Sequence, residues 1–236
     1  HIDRGISPVS EGPGLGGGAD AVFKQTGYTN SPDASLGYDL TMGGRSVNDS
    51  ISTGGILGAS TATWRANLLG AYEEGGDTAY KDGTIGGSEF QRSVYGLATG
   101  LRTGLGEFSL DWRRHNTGYS GNPPYGMDIR FVDTDVLKAG YEKAFGQVLV
   151  EASASYADAA HAMNNFDLRP AMMQREAFAY AITRKAEIAA TFPAFSGSLQ
   201  LGADTAGEDH NIFVLDPGNP DNFIYSLPDI VIDRTG

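Results

Sequence analysis

From about residue 34 onward, apolar and polar residues alternate along the chain with a period of two. In 147–156, Val148, Val150, Ala152, Ala154 and Tyr156 share one parity, while Leu149, Glu151, Ser153 and Ser155 share the other. In 106–114 the sets are Phe108, Leu110 and Trp112 against Glu107, Ser109, Asp111 and Arg113. In 195–204, Phe195, Leu199, Leu201 and Ala203 oppose Ser196, Ser198, Gln200 and Asp204. Successive side chains of a strand point to opposite faces, so this pattern predicts β-strands whose two faces meet different environments. Several of the runs exceed the roughly 5–6 residues usual for strands of globular sheets.

Tight links fall near 59–62, 102–106, 144–147 and 192–194, and longer polar links over 73–88, 115–128, 159–172 and 207–221. Short and long links therefore alternate. Membrane barrels have this rhythm because their periplasmic turns are short and their extracellular loops long. Tyr72, Tyr95, Trp112, Tyr119, Tyr141 and Tyr156, near predicted strand ends, suit an interfacial aromatic girdle. A soluble all-β sandwich explains the alternation but not the regular link lengths. The expected fold class is all-β, an antiparallel transmembrane β-barrel in contact with a lipid bilayer. Roughly nine strands can be counted. Bacterial barrels close with an even number, and unpaired edges in lipid are costly, so further strands are expected from other sequence or another chain.

Composition narrows the classes. Gly accounts for 33 of 236 residues, aromatics for 10% and charged residues for 19%, a profile unlike that of disordered chains, where aromatics are scarce. The mean hydropathy is −0.26. No run approaches the roughly 18 apolar residues of a membrane helix, a test that strands escape because alternation averages out. The net charge of −12 argues against nucleic acid as a partner, since polyanions are bound by basic patches. With no Cys there are no disulfides or thiolate zinc sites. The chain opens His1-Ile2-Asp3 without initiator Met or signal peptide, and 228–233 begins a β-like run that then stops, so a fragment is expected.

Near the start, Gly12, Gly14 and Gly17 formally satisfy G-x-G-x-x-G. Pro13 interrupts it, and the alternation of 19–24 predicts a strand where a dinucleotide site needs a helix, so that reading is rejected. Gly5, Ser7, Pro8, Gly12, Gly14, Gly16 and Gly17 lead instead to a strand ending in Phe23-Lys24, followed by Ser31-Pro32-Asp33 and 34–41. In these residues the segment resembles the end of the plug domain of TonB-dependent receptors and its crossing into the first barrel strand. The resemblance implies a plug end over 1–26 and the N-terminal portion of a barrel over 27–236. It also implies a bacterial outer-membrane location and a TonB complex that engages sequence upstream of residue 1.

The candidate chemistry lies in Ala160-His161-Ala162-Met163-Asn164-Asn165-Phe166-Asp167-Leu168-Arg169, within a predicted long link. Imidazole nitrogen and thioether sulfur are borderline and soft donors that suit Cu(I). Two residues apart in extended chain, they point to one side. Alone, such a pair reads better as a loop His beside a Met packed on neighbouring aromatics. The surrounding residues resemble the barrel-side copper motif of TonB-dependent copper receptors, as does 123–129 leading to Asp133-Thr134-Asp135. The resemblance makes His161 and Met163 the barrel-side metal ligands and copper the transported ligand. It also implies a Cys and a Met from the plug, and this chain contains no Cys.

Met172 and Met173 are read as the start of the next strand, and His115 and His210 as solvated residues of long links. Asp128, Asp133 and Asp135, and Glu208 with Asp209 and His210, could offer oxygen ligands to Ca²⁺, but a polar lumen and solvated loops explain them more simply. No nucleophile elbow, zinc-protease helix or phosphate loop is found, so no enzymatic activity is expected. The expected function is TonB-dependent copper import. The alternatives are import of a different metal chelate, an accessory barrel segment pairing with another chain, and passive diffusion through an unplugged pore.

Overall fold

The structure, a computed structural model, describes residues 24–235. After an extended lead-in come β1 (Ser35–Arg45), β2 (Ser50–Ser60) and β3 (Trp64–Gly75). A small hairpin of β4 (Thr78–Tyr80) and β5 (Gly83–Ile85) precedes β6 (Phe90–Thr103) and β7 (Gly106–Thr117). The long strands follow: β8 (Asp128–Phe145), β9 (Val148–Asn164), β10 (Glu176–Ala194), β11 (Gly197–Asp216) and β12 (Asn219–Thr235). Apart from β4 and β5, these form one sheet of 10 antiparallel strands in chain order, with β1 and β12 as its open edges among the described residues. All-β architecture is thus as expected, with ten sheet strands where the pattern suggested nine.

The cross-strand register sorts the side chains into two faces. One carries Leu57, Leu68, Leu97, Trp112, Leu137 and Tyr156, partners from strand to strand across β2, β3, β6, β7, β8 and β9. This outer face exposes large apolar groups, with Leu110 44% and Ile188 55% accessible. The other, inner face carries a row running Ala98, Asp111, Lys138, Ser155 and Lys185. Among the described residues the buried hydrophobic side chains are Ala98 and Ala162 alone, whereas the buried polar ones include Ser60, Asn67, Arg113, Asp128 and Asn164. A water-soluble protein buries its apolar groups because their hydration is unfavourable. This sheet does the reverse, which is what a hydrocarbon solvent outside and water inside would select.

The inner face satisfies its charges laterally. Arg102 and Arg65 reach Glu107 at 2.8 and 3.8 Å, Arg113 binds Asp111 at 2.6 Å, and Lys185 binds Glu187 at 2.7 Å, with Ser153 Oγ donating to Glu187 at 2.9 Å. Against this wall lies a strap, 24–33. Thr29 N–H donates to Thr61 O at 3.0 Å, Ala62 N–H to Ser31 O at 2.8 Å, and Thr26 N–H to Asn67 Oδ1 at 2.7 Å. Small residues make room for it. A Cβ on Gly58 would stand 1.8 Å from Thr26 Oγ1, and one on Gly100 2.4 Å from Tyr28 Oη. The Tyr28 ring is held by two guanidiniums, with Arg102 Cζ 3.7 Å and Arg65 Cζ 5.0 Å from its centroid.

The turns at 61–63, 104–105 and 146–147 fall where tight links are expected. The fourth lies at 195–196, past Pro193, which the sequence suggests as a turn residue. Pro193 instead lies within β10 opposite Ser198, the strand ends at Ala194, and Phe195 makes the turn with a φ of 53°. At the other end the links are 46–49, 76–89, 118–127, 165–175 and 217–218, so the long ones are shorter than expected. The largest correction concerns 207–221: β11 continues to Asp216, and Pro217-Gly218 is a tight turn. Glu208, Asp209, His210 and Asn211 are polar because the strand has passed the apolar band, not because the chain has left the sheet. The Gly-rich motif up to Phe23 lies outside the described residues.

Candidate metal site at the end of β9

Strands β8 to β12 hold 18, 17, 19, 20 and 17 residues, against the roughly 9–11 that cross a bilayer. They therefore project beyond an apolar band. The outer face records where it ends. Just above Trp112 and Leu137 comes Arg114 paired with Asp135 at 3.0 Å, and Arg184, directly across from Tyr156, pairs with Asp209 at 3.2 Å; Asn116 then donates to Asp133 at 2.7 Å. His161 lies level with or beyond these groups, at the long-link end.

His161 and Met163 are in β9 itself, not in a link, because the strand continues to Asn164. Their parity is that of Ser153 and Ser155, so both belong to the inner face, as their spacing requires. Their cross-strand neighbours are apolar: Val132 and Ala179 beside His161, Ile129 and Ala177 beside Met163. His161 is half-buried, and loss of hydration lowers its imidazole pKa below the ordinary value. A metal takes the neutral form of the ring, through the lone pair of its unprotonated nitrogen. No group of three or more His, Cys, Asp or Glu side chains converges among the described residues, so His161 has no such cluster around it.

The other sequence candidates are redistributed. Met172 and Met173 belong to the link, since β10 starts at Glu176; Met172 is fully exposed, and Met173 O accepts from Asn165 Nδ2 at 2.9 Å. His115 lies in β7 and His210 in β11, both on the inner face, with His210 Nε2 3.3 Å from Glu208 Oε2. Asp133 and Asp135 face outward and do not line the inner face, and among the described residues they form no metal-holding group with Asp128.

Sequence reasoning misses the part played by Arg169 and Asp128. Asp128 is 1% exposed and sits across from Asn164. Arg169 Nε and Nη2 donate to its two oxygens at 2.8 Å each, and the same guanidinium donates to Tyr125 O at 2.9 Å and Pro123 O at 3.3 Å. Asn164 Oδ1 accepts from Phe166 and Asp167 N–H, turning the chain back toward the sheet. A lone Arg six residues from a His-x-Met carries no signal of a partner forty-one residues away.

No family model matches this chain, and no curated protein does. The chain is similar in structure to the copper transporter OprC. The TM-score is 0.79 at 17% identity, over 98% of this chain and 38% of that one. The chain thus spans well under half the length of this neighbour. At that identity the likeness establishes a fold, a partial β-barrel of antiparallel strands, and the neighbour is a transporter, not an enzyme.

Proposed function

We propose that this chain forms part of an outer-membrane β-barrel that imports copper, with His161 and Met163 as barrel-side ligands on the lumen wall. The observation that carries the reading is their joint position: one soft and one borderline donor, on the inner face, past the apolar band, where an ion arriving from outside meets the barrel. The likeness to a copper transporter supports it. So does the strap, whose course along the inner face suits the end of a plug domain entering β1. Two donors hold copper weakly, so the proposal includes further ligands from a plug and release driven by the TonB complex. Weak, incomplete sites are what transport needs, since the ion must also leave.

The test is Cu(I) affinity of the complete protein in detergent, by competition with a chromogenic chelator, for His161→Ala and Met163→Ala. Each variant is expected to lose about tenfold or more, by analogy with the cost of disturbing a metal's ligand surroundings. Unchanged affinity in both rejects the site.

A further inference from the structure

The arrangement around Arg169 points to a role that touches no metal. We propose that Arg169 is a positioning residue: it pins three long links into one cap and thereby fixes the end of β9 that carries His161 and Met163.

The geometry forms a closed circuit. Asp128 and Asn164 are cross-strand partners at the ends of β8 and β9, and Ile129 and Met163 are the next pair. From Asn164 the chain runs out to Arg169, whose guanidinium returns to Asp128 through both carboxylate oxygens. Asp128 Oδ1 also accepts from Asn122 N–H at 2.7 Å, and the Arg169 donors reach the carbonyls of Pro123 and Tyr125, so 118–127 is held by the same group. The third link joins by close packing. Gly87, at φ +68°, lies where a Cβ would stand 3.3 Å from Arg169 Cγ, and a Cβ on Gly121 would stand 1.6 Å from Gly87 O. Gly121 N–H donates to Glu89 O at 2.7 Å. Arg130, the extra residue where the β8–β9 register shifts, pairs with Glu176, the other neighbour of Asn164.

By strand parity Asn164 and Asp128 lie on the opposite side of β9 from His161 and Met163. Arg169 thus acts on the pair through the backbone. Only a planar fork makes two parallel bonds to one carboxylate and reaches two carbonyls as well, so Lys cannot replace it.

The positioning claim concerns the protein alone; its consequence for copper rests on the proposed function. Hydrogen exchange on the complete protein, with Arg169→Ala and Arg169→Lys, reads the first. Amide protection in 122–129 and 161–167 is expected to fall at least tenfold in both variants, while that of Thr29, at the far end, stays unchanged. Protection equal to the parent's in Arg169→Ala, or full rescue by Lys, overturns the proposal. Cu(I) titration then reads the consequence: a fivefold or greater loss in both variants, in a protein that still migrates as a folded barrel, is expected. Protection lost with affinity unchanged reduces Arg169 to a stabiliser of loops and overturns its positioning role. Should His161→Ala and Met163→Ala themselves leave affinity unchanged, the copper reading fails, and hydrogen exchange alone decides the role of Arg169.

Discussion

Ala154 and Ser155 are chain neighbours in one strand, yet they live in different solvents. Ala154 lies on the outer face between Ala139 and Ala186, whereas Ser155 faces Lys138 and Lys185 on the inner one. The backbone is the same; only parity differs. The two faces follow separate rules: outside, within the apolar band, exposure of apolar groups is the stable arrangement and charge is left to the band's edge; inside, charges pair with one another and with the strap.

The largest effect is expected from breaking the outer rule. Ala154→Arg puts a cation near the middle of the apolar band and is expected to cost about 2–4 kcal/mol. Urea unfolding of the complete protein in liposomes measures this, and a loss under 1 kcal/mol would contradict a lipid-facing surface. On the inner face, Gly58→Val drives a side chain into Thr26 and is expected to cost about 1–3 kcal/mol, as overpacking does. Its signature is local: new protease cleavage within 24–31 while the strands stay protected. A smaller effect is expected at Tyr28. Replacement by Ala removes the ring between Arg65 and Arg102 and is expected to cost about 1–2 kcal/mol, while Phe keeps the ring and most of that energy. Smallest of all, Ser155→Asp sets a carboxylate opposite Lys138 and Lys185 and is expected to gain about 0.2–1 kcal/mol. A cost like that of Ala154→Arg would mean that the two faces do not differ.

The same contrast explains what the sequence discloses. Strand existence and facing follow from parity, a local property, so Phe108, Leu110 and Trp112 predict their face from residue type alone. Turns at 104–105 and 146–147 carry Gly at the reversal, with Gly106 and Gly146 at positive φ, and are equally local. The long-link end is different. Polar residues there mark either a loop or a strand wetted on both faces, and residue type does not separate the two. For that reason His161, His115 and His210 read as loop residues and prove to be strand residues. The pairing of His161 with Met163 on one face needs only their spacing, whereas the Arg169–Asp128 bond joins residues 41 apart and is invisible until β8 and β9 are in register.

The central claim, that the faces meet lipid and water, is tested most directly by a cysteine scan of β9. This chain has no Cys, so once any thiol elsewhere in the protein is replaced, each introduced residue reports alone. In a reconstituted bilayer, a membrane-impermeant maleimide is expected to label positions 151, 153, 155 and 157 and to spare 150, 152, 154 and 156. Above the apolar band, from 158 onward, labelling is expected to lose its period of two. Uniform labelling along 150–157, or the opposite parity, would contradict the account.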